Sequence, residues 1–479
     1  MHTSPPSPSQ APSRRPERQP WTILVLLAVA QFMVILDITV VNVALPSIGE
    51  ALDFAPDDLQ WVVTAYVLFT GGLLLFGGRA ADLFGRRPVF LAGLVTFTTA
   101  SLASGLASSP ETLIVARAAQ GLGAALLSPA ALSIITTTYS GAQRTTALST
   151  WGAIGGAGAA AGVLFGGMLT TWLSWEWIFF INVPVGLAAA LLTMRLVPSP
   201  GPRLGRHREL DLAGALIGTA GLVTLIYAID GAASHGWGSA RTLALLAIGA
   251  AVLTAFAATE RSVNRPLVPP ATWRVRSLVS SATMMLAATG ILIGAFFLNS
   301  IYLQAVLDAS ALETGLAFLP FTVIIGLAAH LGSRALQRAG ARAVVVGGLA
   351  LSAAGALLLA MAPDQASYAT DLLPGFLMIG GGVGLVYVTV SITAMAEISH
   401  DDAGLASGLM QTSHEIGAAL GVAVMSTIAT TAGAGGSVAA GYGDGFITVT
   451  VVAGVLALLA LVAVPNLRPA ARMARATAH

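Results

Sequence analysis

Two charged side chains stand inside long apolar runs, Asp37 within residues 21–46 and Arg117 within 112–138. A carboxylate inside a membrane-spanning helix is costly to place and marks a functional site by default. Loss of water disfavours its charge, while a nearby cation favours it. A carboxylate held between those influences can take up and return a proton as its surroundings change. Counting ~1.5 Å of rise per helical residue puts Asp37 and Arg117 within a side chain's reach of each other. A permanent structural ion pair is the alternative reading. His414 and Glu415, inside 403–430, are a further acid–base pair, placed either to line a cavity or to snorkel to the membrane surface. Tyr66, Phe297 and Tyr302 are candidates for an aromatic cavity wall, although aromatic residues in apolar helices also pack or face lipid.

The next chemistry-bearing stretch is polar: Gly78, Arg79, Asp82, Gly85, Arg86 and Arg87 lie in the run GGRAADLFGRRP, residues 77–88. Glycine permits tight turns and close backbone approach. A single acid among three guanidinium groups can pair in one conformation and release in another, so the run reads as a gate. A plain basic loop explains its arginines but not the Gly–Asp–Gly spacing.

Some chemistry is excluded by composition. The chain has no cysteine, which rules out disulfides, thiolate metal sites and cysteine nucleophiles. It has no lysine either, so neither a Walker A phosphate loop nor a Schiff base is available. Seven scattered histidines form no metal-ligand set, and no nucleophile–base constellation is present. No cofactor, no metal and no enzymatic activity are expected.

The elements that must position these residues are membrane helices. Of the 479 residues 56% are hydrophobic and 9% charged. A spanning helix needs about 20 mostly apolar residues. Fourteen candidate spans follow, and arginine clusters in alternate gaps between them. Basic residues beside membrane spans stay on the cytoplasmic side. The pattern predicts a multi-pass, all-α protein with both termini in the cytoplasm. One gap on the arginine side departs from it, carrying Glu397, His400, Asp401 and Asp402 and no arginine. The predicted order is a disordered tail (1–20), six spans (21–196), a linker with two extra spans (197–277), six spans (278–464) and a cytoplasmic tail (465–479). A faint repeat relates the halves. Aligning Gly85 with Gly340 sets Arg79 over Arg334 and Arg87 over Arg342, while Asp82 meets Gln337. Two parallel six-helix halves around a shared site is a transporter plan.

At this point the sequence resembles a known family. The 77–88 run is similar to the signature between helices 2 and 3 of the major facilitator superfamily. LDITVVNVALP (36–46), RAAQGLG (117–123) and WEWIFFINVP (175–184) resemble the helix 1, 4 and 6 motifs of its 14-helix drug:proton antiporter-2 branch, the EmrB/QacA type. Tyr302-Leu303-Gln304 and Gly315 to Pro320 fit its second half. The resemblance implies a major facilitator fold of two six-helix bundles plus two inserted helices, with proton coupling carried by Asp37 and Arg117. Two positions depart from the pattern. The helix 5 antiporter motif survives as Gly158, Gly162, Gly166 and Gly167, whose spacing suits close helix packing, but Val163 stands where a proline is usual. Glu176 stands between the tryptophans where arginine is usual.

The expectation is a monomeric, proton-coupled antiporter in a bacterial cytoplasmic membrane. It would export amphipathic small molecules and have protons and the lipid bilayer as its other partners, with no nucleic acid. A proton-coupled uptake symporter and a non-transporting membrane sensor are the alternatives.

Overall fold

A computed structural model describes residues 18–54, 59, 61–198, 212–263, 266–309, 311–363, 366–399, 402–435 and 438–467. Most of the two expected tails, His400, Asp401 and the stretch 199–211 lie outside the described residues. The chain is helical throughout the described residues, as an apolar solvent requires, since a helix satisfies every interior backbone group within itself. The first group comprises α1 (Arg18–Ala51), α2 (Trp61–Phe84), α3 (Arg86–Gly105), α4 (Pro110–Thr138), α5 (Gly141–Trp172), α6 (Trp177–Phe180) and α7 (Asn182–Leu196). Next come α8 (Leu212–His235) and α9 (Ala240–Ser262). The last group comprises α10 (Arg276–Ala305), α11 (Ala311–Ala317), α12 (Leu319–Ala339), α13 (Ala341–Ala360), α14 (Leu373–Ala394), α15 (Ala403–Gly435) and α16 (Val438–Ala463). Among the described residues, eleven helices are long and apolar enough to cross a membrane, and Ala213–Ile229 is a shorter apolar helix.

Two expected spans, 177–196 and 312–333, are broken. The break at Ile181 precedes Pro184, and the break at Phe318 precedes Pro320. Proline supplies no N–H and its ring crowds the carbonyl four residues back, so the helix yields ahead of it. Pro129 sits inside α4 without such a break. The Ala125 carbonyl, deprived of its usual donor, lies so close to Gly77 of α2 that any side chain there would overlap it.

Within the first group α2 packs on α4, α3 on α4 and α7, and α1 on α5 and α7. In the last group α10 packs on α14 and α15, α12 on α14, and α13 on α14 and α16. The groups meet where α2 lies against α15 and α5 against α12, while α8 touches both α2 and α15.

The faint sequence repeat has a structural counterpart. Gly85 and Gly340, each preceding the first residue of a helix, share a left-handed backbone at φ 99° and 83°. Residues with a Cβ avoid that region, which accounts for glycine in both copies. Arg87 donates to the Met194 carbonyl at the end of α7 at 2.7 Å, and Arg342 donates to the Val464 carbonyl just past α16 at 3.0 Å. Each guanidinium thereby meets the partly negative C-terminal end of the last helix of its own group.

Candidate functional site

Asp37 is fully buried on α1, and its carboxylate accepts from three side chains. Oδ2 accepts from Arg117 Nη1 at 2.5 Å. Oδ1 accepts from Gln120 Nε2 and Asn182 Nδ2, each at 2.8 Å. Arg117 is equally buried, and its charge is distributed over several partners. Nε donates to the Val62 carbonyl of α2 at 2.9 Å, and Nη1 also donates to Gln120 Oε1 at 2.8 Å. The guanidinium carbon lies 4.4 Å from the Tyr66 ring centroid and 5.7 Å from that of Phe179, within range of cation–π attraction. Because arginine only donates, the Gln120 oxygen must face Arg117, and its NH2 is left for the carboxylate.

Ser101 of α3 completes the network. Its hydroxyl accepts from Gln120 Nε2 at 3.2 Å and Asn182 Nδ2 at 3.0 Å, and donates to the Phe179 carbonyl at 3.0 Å. Five elements thus supply one cluster: α1, α2, α3, α4 and the α6–α7 break. Phe179 and Asn182 flank that break, which turns a carbonyl and an amide toward the same point.

Sequence reasoning singled out Asp37 and Arg117 but not Gln120, Asn182 or Ser101. The signal for Gln120 was its position three residues after Arg117, on the same helical face. For Asn182 it was a polar residue just before a proline in an apolar run. Ser101 carried none. Tyr66 is not a free cavity wall: it is fully buried and lies over Arg117. Tyr302 is buried within the last group, where its hydroxyl donates to the Pro363 carbonyl at 3.0 Å and its ring packs on Tyr442. Phe297 is partly buried on α10. His414 and Glu415 are partly exposed on α15, 3.8 Å apart, and Glu415 lies against Gly71 of α2, where the two groups meet. The structure therefore places the five cavity candidates in different settings.

Gly158, Gly162 and Gly166 of α5 lie against α1, which carries Asp37. A Cβ at Gly162 would come within 2.5 Å of Thr39 Cβ, whereas Gly167 faces open space. The side chain of Val163 lies outside the described residues.

At the arginine-rich end the carboxylate of Asp82 does something its loop alone does not announce. Oδ1 accepts from the Gly404 N–H at 2.8 Å and Oδ2 from the Leu405 N–H at 2.9 Å. A residue of α2 thus caps the first turn of α15 in the other group, where exposed N–H groups and the helix dipole favour an anion. The backbones beneath it are in contact, since any side chain at Gly78 would overlap the Gly404 carbonyl. Arg79 faces Asp402 at 3.7 Å. Arg86 donates to Ser133 at 2.7 Å, and Arg87 to Met194 as above. The expected pairing of Asp82 within its own loop is replaced by a contact across the molecule. The acidic gap that broke the arginine pattern supplies the partner of Arg79. Gln337, the repeat counterpart of Asp82, is exposed.

Comparison with known proteins places this geometry in context. A family model described as Major Facilitator Superfamily matches residues 27–422. Puromycin resistance protein pur8 of Streptomyces alboniger is 44% identical over 421 residues, covering 87% of this chain and 83% of that protein. Cephamycin export protein CmcT of Amycolatopsis lactamdurans is 39% identical over 437 residues, 90% of each chain. Among solved structures, the human organic anion transporter MFSD10 superposes with a TM-score of 0.65 at 16% identity, covering 92% of this chain and all of that one.

Proposed function

The chain belongs to the Major Facilitator Superfamily, and from that premise we propose that it is a proton-coupled antiporter exporting amphipathic antibiotics or related compounds from a bacterial cell. It is a multi-pass membrane transport protein. The export reading draws on the relatives named for antibiotic resistance and export. The 14-span arrangement, with six-helix halves at 21–196 and 278–464, an inserted pair between them and both termini cytoplasmic, belongs to the same proposal.

The observation that carries the proton coupling is the donor pattern around Asp37. Oδ1 already accepts two amide hydrogens, whereas among the described residues Oδ2 accepts only from Arg117. A proton arriving at the carboxyl therefore bonds to Oδ2. There it confronts an N–H that cannot turn into an acceptor, because arginine has none. Protonation removes the charge that holds Arg117 and sets a new O–H beside the facing N–H, so it weakens the present contact and favours displacement of Arg117. Breaking a buried ion pair by neutralising one partner costs about 3–5 kcal/mol, ample to drive a rearrangement when ~1.4 kcal/mol changes a population tenfold. Arg117 is hydrogen-bonded to Val62 of α2, and α2 is the helix whose far end carries Asp82 and Gly78. Displacement of Arg117 is transmitted along α2 to the contact with α15.

In the cycle we propose, a proton entering from outside displaces Arg117 and releases substrate. Deprotonation toward the cytoplasm restores the pair. The Asp82–α15 cap holds the cytoplasmic face shut in between. Everted membrane vesicles test direction and coupling together. An exported compound added to acid-loaded vesicles raises the lumenal pH as protons leave in exchange. Uptake accompanied by protons in the same direction identifies a symporter and overturns the reading.

A further inference from the structure

The lipid-facing side of the first group carries a groove that the transport cycle does not use. It lies between α1 and α7, with a volume of about 290 Å³ and an almost wholly apolar lining. Val25 and Val29 form one wall; Val185, Ala188, Leu192 and Leu196 form the other. It starts near the beginning of α1 and follows α7 to its last turn, so its mouth is at the arginine-rich end. Ala188 is exposed within it, one turn from the larger side chains of Val185 and Leu192.

The mouth is cationic. Arg195 is exposed in the last turn of α7. Arg87 reaches the same turn through the Met194 carbonyl. The last turn of α7 contains no acid. Trp21 is exposed beside the mouth, at the position where aromatic residues sit at headgroup level.

We propose that this groove binds one anionic phospholipid, with an acyl chain along α1 and α7 and its phosphate beside Arg195. Two features favour that occupant over bulk lipid: an apolar hollow of about 290 Å³ along the two helices, and a basic mouth of the kind that holds acidic headgroups between membrane helices. The site also has a route to the chemistry. Val185 is three residues from Asn182, about one helical turn, and α1 carries Asp37. A chain seated in the groove supports the two helices that hold the carboxylate network together.

The test is native mass spectrometry of the purified full-length protein, washed in detergent and given equal amounts of phosphatidylglycerol and phosphatidylcholine. A single phosphatidylglycerol adduct should dominate. Ala188→Phe fills the groove and should abolish the adduct. Arg195→Gln keeps the groove and should reduce the preference about fivefold, the effect of one arginine near an anionic headgroup. Leu187→Phe, on the adjacent exposed face, and Arg274→Gln, a basic residue elsewhere, should leave it unchanged. Equal retention of the two lipids, an adduct undiminished in Ala188→Phe, or equal losses in the control variants would overturn the proposal. So would one-for-one displacement of the lipid by an exported compound, which would make the groove a substrate entrance.

Discussion

Asn182 is the residue whose role depends most on the fold and least on its own chemistry. It donates to Asp37 Oδ1 and to Ser101 from the first position of a helix that begins only because Pro184 ends the previous one. Asp37 and Arg117 were legible in the sequence because a charge in an apolar run has few explanations. Neutral polar residues have many, and which face they occupy is decided by helix breaks and neighbours that a linear reading lacks. Tyr66 was open to misreading for the same reason, since an aromatic ring in an apolar helix does not reveal what lies over it. Asn182→Ala removes one of three donors to a buried carboxylate, worth about 1.5–3 kcal/mol for a bond to a charged group. Transport should slow and its pH profile should move; a uniform drop at every pH would reduce Asn182 to a packing residue. Arg117→Lys preserves charge but cannot reach Asp37, Gln120 and the Val62 carbonyl together from one ammonium. Efflux should fall well below the parent protein at equal expression, and undiminished efflux would show that charge alone suffices.

At the scale of elements, α2 and α15 meet at the arginine-rich end of the molecule, a contact that the proposed cycle uses as a gate. The basic loop was legible from its spacing, but the partner of Asp82 was not. That partner is a pair of backbone N–H groups some three hundred residues away, and a helix terminus has no side-chain signature to match. Asp82→Asn leaves one acceptor and turns an NH2 toward the second N–H. The loss of a charged cap costs about 1 kcal/mol. Spin-label distances across the arginine-rich end should shift toward the open population by several-fold, with substrate binding retained. Unaltered distributions with normal transport would return the motif to a plain basic loop. The turns that start α3 and α13 give a second prediction. Gly85→Ala and Gly340→Ala place a Cβ on left-handed backbone, at a cost of about 1–3 kcal/mol each. Both should lower thermal stability in detergent by similar amounts, whereas Gly167→Ala, helical and facing open space, should not.

Over the whole molecule, the apolar runs between the polar gaps were legible as helices, because span length and hydropathy are written in one dimension. The acidic gap at 397–402 was the anomaly in the arginine pattern. Its explanation is tertiary, since Asp402 faces Arg79 from the other group of helices. The two groups meet along α2–α15 and α5–α12 while the carboxylate network lies wholly within the first group. In the proposed cycle, coupling between proton and substrate runs through helix movement rather than direct contact with Asp37. The most direct measurement of that claim uses Asp37→Asn in proteoliposomes under an imposed pH gradient. The proposed cycle visits the neutral carboxyl, so its neutral isostere should fold and insert normally. Substrate binding should persist, and gradient-driven efflux with its counterflow of protons should vanish. Export driven by the pH gradient at the parent rate in Asp37→Asn would contradict the account.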